Sequence, residues 1–212
     1  MSRMMANDEG KNGHGEGTVG VMAVFDGHIG KQNLFTSSTL NWFSSHIDLC
    51  STICIQEAFE KRIFSGSTAT MALLVDGKIL IANVGDSKAL LCTKKIQSGQ
   101  GTASGIVVTL WGKPWVNAEL PMSQAIGDVY QKRFGVIAEL EVTGWQTLDA
   151  NDRFLVVSSD AIFESMTPQD VCDLIHYSSS CSPSSSLAEC IVNTAFEKGS
   201  VDNLSVLDIL AL

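Results

Sequence analysis

The sequence predicts an α+β fold built on antiparallel sheets, and three observations carry that reading. Short apolar runs at 19–25 (VGVMAVF), 68–75 (TATMALLV), 78–84 (KILIANV) and 153–158 (RFLVVS) read as strands. Two of them flank Asp76-Gly77, a dipeptide that accepts positive φ at both positions and so favours a tight hairpin. Helical periodicity is confined to other stretches, and the strands connect through hairpin-like turns rather than regular βαβ crossovers.

In chain order, residues 1–17 read as a flexible, polar, Gly-rich arm, and residues 18–212 as one domain. Strand 19–25 ends at Asp26-Gly27. Residues 33–64 carry Leu40, Phe43, Ile47, Ile55, Ala58 and Phe59 at helical spacing, which predicts two helical segments. Ser65-Gly66-Ser67 punctuates before the hairpin strands 68–75 and 78–84. A further strand, 88–92, follows the turn Gly85-Asp86-Ser87. The stretch 93–120 is the least patterned, with IVVTLW as a candidate strand, and 121–128 reads as a loop or short helix. Beyond strand 153–158, Thr167 is placed to cap a helix, Pro168 suits its first position and Asp170 supports its start. Val171, Leu174 and Ile175 form its apolar face. The segment SSSCSPSSS is a loop by composition; helix 187–197 and a final strand, 204–210, complete the chain.

The chain has 212 residues, 45% hydrophobic and 17% charged, which suits one globular domain with a sizeable core. Its net charge of −9 argues against a nucleic-acid or anionic-membrane partner. It leaves room for a phosphorylated substrate, because bound cations reverse a local field. No apolar leader opens the chain and no run approaches the ~20 residues needed to span a bilayer. A cytoplasmic or nuclear location is therefore expected. The six cysteines form no CxxC pair and are expected as free or buried thiols, with zinc at Cys50 and Cys54 a weak alternative. Gly13–Gly17 resembles a Gly-rich loop but lacks the lysine pattern and preceding strand of a nucleotide site.

Four aspartates sit at strand edges: Asp26 in FDGH, Asp86 in VGDS, Asp160 in SSD and Asp202 in VDN. Each alone is adequately explained as a turn-maker. Together, carboxylates at one end of a sheet make a hard oxygen site suited to Mg²⁺ or Mn²⁺. The blocks VFDGH, GSTA at 66–69, ANVGDSKALL at 82–91, SQAIGD at 123–128, FLVVSSD at 154–160 and GSVDNLSV at 199–206 resemble, in order, the signature blocks of the protein phosphatase 2C family. The resemblance runs from about Thr18 to the end of the chain.

It implies a four-layer α-β-β-α sandwich, two antiparallel sheets flanked by helix pairs, with metals at one end. It also implies a metal-dependent protein serine/threonine phosphatase acting on phosphorylated proteins. Asp26 then matches the carboxylate bridging two ions, and the Gly27 carbonyl a ligand of the second. Asp160 and Asp202 match the other carboxylates of the first, and Asp86, with Asp160, a weaker third site. His28 matches the histidine proposed as general acid for the departing serine or threonine oxygen. The ions would activate a water and offset charge on the phosphoryl oxygens.

The chain departs from the family pattern in several places. An Arg followed by a Glu-Asp pair should precede the DGH block on an early strand; only Arg3, Asp8 and Glu9 stand there, without a strand pattern. The segment before SQAIGD is short, with Trp111–Pro114 at best a remnant of a DHKP-like block. Gln124 replaces the usual Arg, Ile29-Gly30 a Gly-Gly pair, Ala161 a Gly, and Glu164 an Asp. One competent metal site and one poor one are expected. The alternatives are a pseudophosphatase that binds a phosphoprotein without turnover, and a truncated product with an exposed sheet edge.

Overall fold

The computed structural model of the chain describes residues 3–7, 19–28, 60–62, 64–97, 100–108, 122–177 and 186–210. The predicted helical segments within 33–64 lie almost wholly outside these residues, as do Ile29-Gly30, Trp111–Pro114, Cys50, Cys54 and most of the Ser-rich loop.

Sheet 1 runs β1 (Arg3–Asn7), β2 (Val19–Phe25), β5 (Ala69–Val75) and β6 (Lys78–Val84). The far edge of β6 takes both β10 (Glu141–Val142) and β11 (Gln146–Thr147). Sheet 2 runs β13 (Val206–Leu210), β12 (Asp152–Ser158), β7 (Lys88–Gln97) and β8 (Gln100–Val108). A small third sheet joins β3 (Gly27–His28), β4 (Gly66–Ser67) and β9 (Ile126–Gly127). The pairings within all three sheets are antiparallel. The predicted hairpin turn is present, with φ of 48° at Asp76 and 70° at Gly77.

The period-2 pattern of β2 explains why sheet 1 is buried on both sides. Met22 and Val24 point between the sheets, where they meet Ala72, Ile81, Leu155 and Val157. Ala23 and Phe25 point the other way and pack with Met71, Val84 and Ile126. The outer face of sheet 2 carries the helices α1 (Asp160–Ser165), α2 (Pro168–His176) and α3 (Leu187–Glu197). Leu90 and Val156 meet Ile162, Val171, Ile175 and Ile191 there, and all six are almost fully buried. The start of α2 follows its sequence. Thr167 Oγ1 accepts from Asp170 N at 3.1 Å, and Asp170 Oδ2 accepts from Thr167 N at 2.8 Å. This reciprocal box satisfies two donors that a helix start leaves open.

Two expectations are corrected. Residues 3–7, read as part of a flexible arm, form a strand on the free edge of β2, with Arg3 opposite Phe25 and Asn7 opposite Val21. Five residues carry too little alternation to announce a strand, and β2 supplies the ladder that makes one. The second concerns cysteine. Cys92 of β7 and Cys172 of α2, both fully buried, form a disulfide with Cα atoms 5.6 Å apart, and Cys190 is disulfide-bonded as well. The 80-residue separation hides a contact made only when α2 lies on sheet 2. Elsewhere, the described part of the candidate loop or helix at 121–128, residues 122–128, is a loop that carries β9, and β8 begins earlier than the IVVTLW run. No helix among the described residues is long and apolar enough to cross a membrane.

Leu155 is fully buried at the contact between the sheets. Leu155→Ala should lower unfolding free energy by about 2–5 kcal/mol, read from urea titration, through lost burial and a residual cavity. A loss below about 1 kcal/mol would mean that the sheets do not close on this side chain.

Candidate functional site

Strand register alone brings the four aspartates to one end of the sandwich. Val24, near the end of β2, pairs with Thr70 near the start of β5, and Ala69 pairs with Val84 at the end of β6. Only Gly85, Asp86 and Ser87 separate β6 from Lys88, the first residue of β7. Three residues reach no more than about 10 Å, so the start of β7 lies at the same end. Lys88 pairs with Ser158 at the end of β12, and Ser158 pairs with Val206 at the start of β13. Asp26, Asp86 and Asp202, on loops, and Asp160, at the start of α1, therefore lie at one rim. Arg3, beside Phe25, belongs to that rim too.

Side-chain hydrogen bonds fix the loops to one another. The Asp26 carbonyl accepts from Thr68 N at 2.9 Å and from Ser67 Oγ at 3.1 Å, and Asp26 N donates to Thr68 Oγ1 at 3.2 Å. Thr68 Oγ1 lies 2.7 Å from Ser87 Oγ, which ties the Asp26 loop to the Asp86 loop. Gly85 is obligatory in this junction. Its φ is 107°, and a Cβ there would stand 2.6 Å from Thr68 Cγ2. On the other sheet, Ser159 Oγ donates to Asn203 O at 3.1 Å and accepts from Ser205 N at 3.2 Å, while Ser159 N donates to Ser205 O at 3.0 Å. Asp160, at the start of α1, is thereby tethered to the Asp202 loop.

The third sheet gathers three of the sequence blocks. Gly27 pairs with Ser67, His28 with Gly66, and Gly66 with Gly127. This pairing brings His28 Nε2 to 2.6 Å from Asp128 Oδ2. A carboxylate only accepts, so the ring N–H donates. The side chain of Asp128 is 1% exposed and that of His28 21%. Lys132 lies alongside. Its main-chain N donates to Asp128 O at 3.2 Å and its Nζ to Ala125 O at 2.6 Å. Burial pulls its ammonium down from 10.5 to about 8, against the raising influence of the Asp128 carboxylate.

Sequence reasoning quoted the AIGD block without giving Asp128 a role, and it missed Lys132, Thr68 and Ser159. Gly-Asp at the end of a block was a signal for Asp128, but its partner lies 100 residues away. Carboxylates with a backbone carbonyl are the donors that Mg²⁺ or Mn²⁺ takes, so the donor set fits a hard cation in type. Its spacing is not closed: among the described residues, no three His, Cys, Asp or Glu side chains gather into a metal-holding group.

Ser159 is fully buried. Ser159→Ala strands the amide of Ser205 and the carbonyl of Asn203, and should lower stability by about 1–3 kcal/mol in chemical denaturation. An unchanged midpoint would show that the Asp202 loop does not depend on it. Lys132 gives a pH test. Between about pH 8 and the ordinary lysine range, the unfolded chain holds a proton that the folded chain has lost. Stability therefore rises with pH across that window. The rise should shrink in Lys132→Met, measured as unfolding midpoints from pH 7.5 to 10; equal slopes would refute the burial of this ammonium.

A family model described as protein phosphatase 2C matches residues 2–104 and 102–204. "Probable protein phosphatase 2C 51" of Arabidopsis thaliana is 37% identical over 219 residues, covering 72% of this chain and 42% of that protein. "Protein phosphatase 1K, mitochondrial" of Xenopus laevis is 35% identical over 160 residues, covering 67% of this chain and 42% of its own length. The chain thus spans less than half the length of these two relatives. Among solved structures, a C. elegans sex determining protein superposes with a TM-score of 0.74 at 21% identity, over 98% of this chain and 60% of that one. The serine-threonine phosphatase 2C from Toxoplasma gondii superposes with a TM-score of 0.70 at 11% identity, over 100% of this chain and 94% of that one. With its ordered blocks meeting at one rim of paired antiparallel sheets, the chain belongs to the protein phosphatase 2C family.

Proposed function

We propose that this chain is a metal-dependent protein serine/threonine phosphatase domain whose substrate is a phosphorylated protein. The observation that carries the reading is the delivery of Asp26, Asp86, Asp160 and Asp202 to one rim by strand register, beside His28. The names of its relatives support the same chemistry. Asp26, Asp160 and Asp202, with the Gly27 carbonyl, would hold Mg²⁺ or Mn²⁺, and Asp86 with Asp160 a weaker ion. When bound, such ions activate water and offset charge on a phosphoryl group. The chain's own part is positioning. Ser159 keeps the Asp160 and Asp202 loops together, Thr68 keeps the Asp26 and Asp86 loops together, and His28 offers a ring proton to the leaving oxygen.

The same reading supplies a fourth layer, helices on the outer face of sheet 1. The burial of Ala23, Phe25 and Met71 on that face supports it, since a solvated face would expose them. A second reading, a pseudophosphatase that binds phosphoprotein without turnover, is favoured by the open spacing of the carboxylates.

Hydrolysis of a phosphothreonine peptide, titrated with Mn²⁺, separates the two. The enzyme reading expects metal-dependent turnover, abolished by chelator and reduced at least about 100-fold by Asp160→Asn or Asp202→Asn, as for loss of one positioned charge. Peptide binding without turnover at saturating Mn²⁺, from a chain with a cooperative unfolding transition, would establish the pseudophosphatase instead.

A further inference from the structure

The residue at this rim with the most constrained surroundings is one to which the sequence blocks assign no chemistry. Asp128 is almost fully buried and adopts φ of 45°, a left-handed backbone that costs a non-glycine residue free energy. The space its carboxylate fills exists only because residue 66 lacks a side chain: a Cβ on Gly66 would lie 2.0 Å from Asp128 Oδ2. Its main chain is held from both sides. Asp128 N donates to Ser65 O at 3.3 Å, and Asp128 O accepts from Gln131 N at 2.8 Å and Lys132 N at 3.2 Å. The group so held meets His28 Nε2 at 2.6 Å. A turn-making aspartate needs neither burial nor a glycine cradle, and an exposed turn aspartate would bond to its own loop.

We propose that Asp128 is a positioning residue that fixes the His28 ring by holding its Nε2–H, turning Nδ1 to the leaving oxygen of the substrate. This rests on the phosphatase reading. The roles are complementary. Water forms the new P–O bond, and the old P–O bond breaks with its electron pair going to the serine or threonine oxygen. That oxygen takes the Nδ1 proton of the doubly protonated His28 ring, the proton shed by water passes to solvent, and Nδ1 takes a proton back from solvent before the next turnover. Throughout, Nε2–H stays with Asp128, so the ring keeps one orientation, and the neutral ring left after transfer keeps its proton on Nε2.

The prediction is a split by leaving group. A serine or threonine alkoxide needs a proton, whereas nitrophenolate leaves without one. With the full chain and Mn²⁺, Asp128→Asn should lower kcat on a phosphothreonine peptide by about 10- to 100-fold, part of what a positioned acid contributes. Its kcat on p-nitrophenyl phosphate should stay within about 2-fold, because that reaction does not draw on the acid. Equal losses on both substrates, or none on either, would overturn the proposal while leaving the phosphatase reading intact. Absence of turnover of both substrates by the unsubstituted chain would overturn the two together. Should Asp128→Asn not fold, His28→Ala, at a partly exposed position, must show the same split, and equal losses there count against the proposal. A readout independent of activity is the ¹⁵N spectrum of the His28 ring. It should show Nε2 protonated in the unsubstituted chain in both the neutral and the charged ring; a neutral ring protonated at Nδ1 alone would overturn the proposal.

Discussion

The rim of this molecule depends on the hydroxyl of Thr68. It is fully buried, accepts from Asp26 N and shares a hydrogen bond with Ser87 Oγ, while the amide of the same residue donates to the Asp26 carbonyl. One residue on the β4–β5 junction therefore stitches the end of β2 to the start of β7, across two sheets. A valine in its place would fill similar space but leave buried polar atoms at Asp26 and Ser87 without partners, a cost of about 1–3 kcal/mol for each stranded group. Asp26, Asp86 and Asp202 sit on loops, and loops hold geometry only as well as such bonds allow.

The two sheets are anchored differently. Sheet 1 reaches the rim through Thr68 and the positive φ at Gly85. Sheet 2 reaches it through Ser159, whose backbone and hydroxyl both bond to the segment 203–205. Behind Ser159, α1 packs Ile162 into the core, and Ser200 Oγ donates to Ala161 O at 3.2 Å. The helical layer adds a covalent tie, since Cys92–Cys172 joins β7 to α2. Disulfides persist mainly in oxidising surroundings. The bridge departs from the free or buried thiols that the cysteine spacing led one to expect.

Much of the fold was legible because its signals are local. The 19–25 strand, the Asp76-Gly77 hairpin, the Thr167–Asp170 cap and helix 187–197 each announce themselves within a few residues, and each stands where it was expected. The Arg3–Asn7 strand was not legible, because its stability comes from the ladder that β2 offers, and neither was Cys92–Cys172. The site divides along the same line. The four aspartates were visible as strand-edge residues in ordered blocks, and the register places them at one rim. The His28–Asp128 pair could not be read, because the short ladder β3-β4-β9, which creates it, is assembled from residues scattered between 27 and 127.

The departures from the family pattern look different once neighbours are known. Ala161, where the family has glycine, lies in the first turn of α1, fully buried, where an alanine methyl suits both the helix and the core. Gln124, in place of the usual Arg, donates through Nε2 to Glu141 Oε1 at 2.8 Å, so a neutral amide keeps a hydrogen bond that a guanidinium could also make. Glu164 is exposed, so its extra methylene is not buried in the core. These substitutions are absorbed locally and leave the rim's scaffold intact. What they do not restore is the acidic pair expected ahead of the DGH block. β1 reaches the rim at Arg3, and its described residues, Arg3–Asn7, bring no carboxylate there. The balance between a working and a silent site thus turns on how many acidic groups the Asp26 side of the rim can offer a cation. On the other side, the segments that carry Asp160 and Asp202 are tied together through Ser159.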